Sequence, residues 1–119
     1  MRPKTMPDEY PKDADGDALR RVASSGSDMS GPMVIDFSID VPDEVTGQRI
    51  AVLVEPLGFD PSIYHDPDRS SWSLTCSKSM LATYEGVVAA QIQLSQVAQP
   101  LGGVCAGWGS FGNSTLSDV

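Results

Sequence analysis

Met33-Val34-Ile35-Asp36-Phe37-Ser38-Ile39-Asp40-Val41 sets large apolar side chains at every odd position, and three of the four residues between them are polar. Successive side chains of an extended chain point to opposite faces, so this stretch is a strand with one buried and one wetter face. Pro42 ends it, having no N–H to give to a ladder. Upstream, Asp13-Ala-Asp-Gly-Asp-Ala-Leu-Arg-Arg-Val-Ala-Ser-Ser-Gly26 opens with acids, carries Arg20 and Arg21 in its latter half and stops at glycine. That is the charge order a helix macrodipole favours. Downstream, a second helix is expected from Asp43, with Ile50, Leu53, Val54 and Leu57 as its apolar stripe and Gly58 as its stop; Gly47 and Pro56 work against it.

Residues 62–65 and 71–77 read as a hairpin around the polar loop Asp66-Pro-Asp-Arg-Ser70, with Trp72, Leu74 and Cys76 sharing one face. A third helix runs from Ala82 to about Gln99, its polar side supplied by glutamines, and Pro100 with Gly102 and Gly103 ends it. The last strand lies in Gly102-Gly-Val-Cys-Ala-Gly-Trp-Gly-Ser-Phe-Gly-Asn113, whose glycines suit a bulge or close backbone approach. The order is a helix followed by β-α-β-β-α-β. This is an α+β, ferredoxin-like sandwich of four antiparallel strands with two helices on one face, plus an N-terminal helix. The first and third strands are central, which separates Cys76 from Cys105 by two strands, roughly 9 to 10 Å, and leaves both as free thiols. The expected organisation is a flexible proline-rich arm over residues 1–12, one domain over 13–113 and a disordered tail over 114–119, with no internal repeat.

The 119 residues carry 16 acids against 8 lysines and arginines, a formal net charge of -8. Such a balance argues against direct binding of nucleic acid or anionic membrane, where each phosphate needs a cation, and suits a basic or neutral protein partner. Carboxylates crowd residues 8–68, whereas residues 86–116 hold no charge. An acidic face and a neutral one are expected, with Asp13, Asp15, Asp17, Asp36 and Asp40 as the partner-binding acids. No window approaches the apolar length of a membrane span, and the first nine residues have basic groups but no apolar run behind them, so a cytoplasmic location is expected.

Motifs for chemistry fail on context. Gly107, Gly109 and Gly112 satisfy G-x-G-x-x-G, but no helix can follow them to face a pyrophosphate. Asp13-x-Asp15-x-Asp17 starts like a calcium loop, yet Ala18 and Ser24 stand where glycine and glutamate are needed, and acids at a helix start explain the same residues. His65 with Asp66 and Asp68 reads as a solvated turn, and it is the only imidazole available to activate a thiol or serine. Cys76, on the inner face of a central strand, reads as packing. Stacking of RNA bases on the sheet is opposed by Asp36 and Asp40. Trp108 is available either to the core or to a partner. No catalytic residue, metal or cofactor is expected.

Ser25-Gly-Ser-Asp28, Leu57-Gly-Phe59, Leu74-Thr-Cys76 and above all Gly107-Trp-Gly-Ser-Phe111 together resemble the regulator of ribonuclease E activity B family. Members commonly carry aspartate before the last run, where this chain has Ala106. The resemblance implies a small cytoplasmic ferredoxin-like protein that binds ribonuclease E, or a similar basic RNA-processing protein, and inhibits it by contact. It also marks Gly107, Trp108 and Gly109 as the family signature. The alternative from the residues alone is a module for another protein or a small ligand, possibly a homodimer through the uncharged third helix and the glycine-aromatic strand.

Overall fold

The strand over Pro32–Val41 (β1) is flanked on both sides, and its odd residues form the centre of the core. The structure, a computed structural model, describes residues 10–110, 112 and 113. Around β1 lie α1 (Ala14–Ser24), α2 (Glu44–Val54), β2 (Asp60–Asp66), β3 (Ser71–Leu81), α3 (Tyr84–Ala98) and β4 (Val104–Gly109). The four strands form one antiparallel sheet in the order β2-β3-β1-β4. Helices α2 and α3 cover one face, and α1 packs beside α3. This is the α+β architecture that the strand and helix order predicts. Among the described residues no helix is long and apolar enough to cross a membrane.

Ile35, Phe37 and Ile39 of β1 are almost fully buried against Leu74 and Cys76 of β3, Ile50 and Val54 of α2, and Val87 and Leu94 of α3. Phe37 also meets the edge of Phe59 with ring centroids 5.9 Å apart. Burying a side chain of this size contributes about 2–3 kcal/mol. Each helix begins at a residue whose side-chain oxygen accepts a backbone N–H of the first turn: Asp13 from Gly16 at 2.8 Å, Asp43 from Thr46 at 2.8 Å and Thr83 from Gly86 at 3.0 Å. Such a cap stabilises a helix by about 1 kcal/mol.

Three features depart from the sequence expectation. The buried stripe of α2 is Gly47, Ile50 and Val54, a 3-then-4 spacing, and Leu53 turns outward at 47% exposure. A short repeat is present after all: Pro-Leu-Gly occurs at 56–58 and again at 100–102, each time as a 3-10 turn ending a helix. Gly58 and Gly102 close the two turns at φ 98° and 96°, a left-handed conformation in which a Cβ is strained. Tyr10, in the stretch expected as an arm, also packs against the fold. Tyr10 is 8% exposed within the core cluster, and Arg20 donates to the carbonyls of Tyr10 (2.9 Å) and Pro11 (3.2 Å). The rest of the expected arm, residues 1–9, and the expected tail, 114–119, lie outside the described residues.

Two glycines separate helix propensity from space. A Cβ at Gly47 would sit 3.6 Å from both Val41 Cγ2 and Ile63 Cδ1, ordinary contact, so Gly47→Ala is expected to raise stability by roughly 0.5–1 kcal/mol. A Cβ at Gly103 would lie 3.0 Å from Ile39 Cγ2 and from Ile50 Cδ1, so Gly103→Ala is expected to lower it by about 1–3 kcal/mol. Urea melts of the two variants check both signs.

Candidate functional site

β4 carries one residue more than β1 can pair. Ile39 faces Cys105 and Ser38 faces Gly107, so Ala106 is left over as a bulge, followed by Gly107 at φ 122°. The extra residue resets the alternation of the strand. Cys105 and Trp108, an odd number of positions apart, therefore share the core face, Trp108 opposite Phe37. Without the bulge Trp108 would stand on the outer face. Turned inward, it is half-buried against the core, and its indole Nε1–H donates to Asp15 Oδ1 at 2.8 Å.

That bond is part of a latch between α1 and the rest of the helix layer. Asp15 also accepts from Gln91 Nε2 of α3 at 3.0 Å, and Asp13 accepts the Tyr84 hydroxyl at 2.6 Å beside its capping bond. The Tyr84 hydrogen bond, with the Gly16 amide, holds the Asp13 carboxyl below its ordinary value of 3.8. The same bond pushes the Tyr84 phenol above its ordinary 10.0. Asp17 pairs with Arg20 three residues on. Of the five expected partner-binding acids, these three stand in the helix layer, and Asp13 and Asp15 are engaged within the fold.

Asp36 and Asp40 lie on the opposite side of the molecule, on the sheet face that no described helix covers. Strand register arranges that face in rows: Asp60, Ser77, Asp36 and Gly109; Ser62, Thr75, Ser38 and Gly107; Tyr64, Ser73, Asp40 and Val104. Asp66, opposite Ser71, belongs to the same face. Four aspartates and a field of hydroxyls thus share it, with no lysine or arginine among these strand positions. Asp36 accepts the Ser77 hydroxyl at 2.5 Å. A Cβ at Gly107 or Gly109 would meet nothing within 4 Å, so these signature glycines leave bare backbone beside Asp36. They border a shallow depression of some 580 Å³ that also takes in Ser38, Tyr64 and Thr75. Asp60 and Asp66 join this face because β2 runs Asp60–Asp66, two residues earlier and one later than the apolar cue at Ile63 suggests.

Other sequence candidates fall into structural positions. His65 is not a free turn residue: it pairs across the hairpin with Trp72 and stacks on it, centroids 4.3 Å apart and planes 27° apart. Both cysteines are free thiols. Burial, with Cys105 adding to it, pushes the Cys76 thiol up to about 12, far from a nucleophile's range. Among the described residues no group of three or more histidine, cysteine or carboxylate side chains could hold a metal ion. The loop after α1, Ser25 to Asp28, is clasped by Asn113, which accepts from the Asp28 amide at 2.7 Å and donates to the carbonyls of Asp28 and Pro32 at 2.9 and 3.1 Å. Phe111 of the last motif lies outside the described residues.

Two outcomes follow for the latch. A hydrogen-bonded carboxylate contributes stability above its unfolded pKa and loses it as pH falls through the lower folded value. Tyr84→Phe is expected to move the Asp13 titration upward toward 3.8, read by carbon-detected NMR of the carboxyl. In a double-mutant cycle, Trp108→Phe and Asp15→Ala are each expected to destabilise by about 1 kcal/mol and to couple by a similar amount, since one bond joins them.

A search of curated proteins found no match to the chain. A family model described as regulator of ribonuclease activity B matches residues 12–110, from just before α1 to just past β4 and its Gly107, Trp108 and Gly109. Apart from Phe111, the residues behind the resemblance seen in the sequence fall in the matched span: the loop held by Asn113, the turn at Gly58, the inner face of β3 and the bulged β4. The chain belongs to the regulator of ribonuclease activity B family.

Proposed function

We propose that this protein works in the cytoplasm as an inhibitor of ribonuclease E, or of a similar basic RNA-processing protein, binding it through the uncovered sheet face and making or breaking no bond itself. The observation that carries this is the four-aspartate face, without a cation at its strand positions, bordered by the bare glycines of the family signature. A basic segment laid across the strands meets Asp36, Asp40 and Asp60 with hydroxyls between them, and the glycines let its backbone come close. Complementary charge of this kind speeds encounter and discourages wrong partners. It equally repels RNA, which limits the contact to protein. Asp13, Asp15 and Trp108 serve binding indirectly, by fixing α1 and β4, and Asp17 remains on the far side with Arg20.

Pull-down with ribonuclease E and RNA-cleavage assays, at low and at physiological salt, test the proposal. Neutralising Asp36, Asp40 and Asp60 to asparagine is expected to weaken binding at low salt about tenfold or more, whereas changing Glu44, Glu55 and Glu85 to glutamine removes equal charge from the helix layer and is expected to cost less than about threefold. Gly109→Leu, whose side chain enters open space at a residue without positive φ, is expected to keep the fold and abolish inhibition. Absence of binding by the unaltered chain at low salt, or equal loss in the two charge variants, refutes it.

A further inference from the structure

The sheet has a second exposed feature, on its other face and at its other edge. β2 ends its pairing with β3 at Asp60 opposite Ser77, so residues 78–81 of β3 have β1 on one side and, among the described residues, no strand on the other. The helix layer is uneven in the same way: α3 has 15 residues against 11 in α2, roughly 6 Å more helix. Lys78 and Met80 thereby line a groove of some 500 Å³ with Gly86, Ala90, Ile92 and Gln93 of α3. The α3 residues at 86 and 90 are small, and Ile92 is 54% exposed beside the groove.

The Lys78 ammonium lies 4.8 Å from the centre of the Phe59 ring and donates to the Leu57 carbonyl at 3.4 Å. Among the described residues it forms no ion pair, although the chain has twice as many acids as bases. An unpaired strand edge, an apolar groove and a cation without a counter-ion thus coincide over four residues. Each feature specifies part of one ligand. The edge offers main-chain hydrogen bonds to an extended peptide, the groove takes its apolar side chain, and Lys78 takes a carboxylate. Lys78 and Met80 are two residues apart on one face, so the matching side chains on the incoming strand are also two apart.

We infer that residues 78–81 of β3 form a strand-addition site for an extended segment of a protein partner in which an acidic and an apolar residue alternate with a spacing of two. The site is separate from the aspartate face and independent of the enzyme proposed to bind there. Its probes are end-blocked pentapeptides in which leucine and glutamate alternate with threonine, in both orders, titrated into the isotope-labelled full chain and followed by amide NMR.

Saturable shifts concentrated at residues 78–81 and the first turns of α3, with slowed amide exchange at 78–81, are the expected result for at least one order. Lys78→Ala, or Lys78→Gln should the alanine variant unfold, is expected to weaken binding about fivefold, and a lysine-for-glutamate peptide by at least as much. Backbone N-methylation of the peptide is expected to abolish binding. No saturable shift with either order, shifts centred elsewhere, or equal binding of the lysine or N-methylated peptide overturns the inference.

Discussion

One surplus residue in β4 decides which way the molecule presents itself. Because Ala106 is unpaired, Cys105 and Trp108 both turn inward while Gly107 and Gly109 turn outward. The inward half of the signature delivers an indole N–H to Asp15 and so attaches α1 to the sheet through its only described polar bond to β4. The outward half leaves a strip of main chain without side chains. A family signature of alternating glycine and tryptophan therefore has two physical duties, one on each face, and the bulge is what lets both be met by neighbouring residues.

The acidity of the chain is likewise divided by the sheet. Asp13 and Asp15 direct their charge to hydroxyl, amide and indole donors within the helix layer, where a carboxylate is a strong acceptor. On the bare face Asp36, Asp40, Asp60 and Asp66 have hydroxyl-bearing neighbours and face solvent. A net charge read from composition merges these two populations.

The fold is legible in the sequence because its deciding signals are local. The alternation of Met33 to Val41, the acid-to-base order of α1 and the stops at Gly58 and Gly102 each report on a few consecutive residues, and together they fix element order and sheet topology. What the sequence leaves open or misplaces has the opposite character. The side taken by Trp108 depends on a count of residues in β4 relative to β1, a two-strand property that no periodicity within either strand contains. The outward turn of Leu53 follows from the packing of α2 on the sheet, which buries Gly47, Ile50 and Val54 instead. Asp60 and Asp66 escape a sequence reading of the aspartate face because strand ends are set by pairing with β3, beyond the apolar cue at Ile63. His65 resembles a turn residue in sequence since its partner, Trp72, lies across the hairpin.

The twin Pro-Leu-Gly corners bear on how the chain finds this arrangement. Proline restricts its own dihedral while the polypeptide is still unfolded, and glycine at the end accepts the left-handed bend without steric penalty, so each reversal from helix to strand is partly rehearsed in the denatured ensemble. Both crossovers of the sandwich are closed by the same device, at Gly58 and Gly102. The two β-α-β halves thus share a hinge geometry that is local in sequence, while every strand pairing, β2 with β3, β3 with β1 and β1 with β4, forms between the halves.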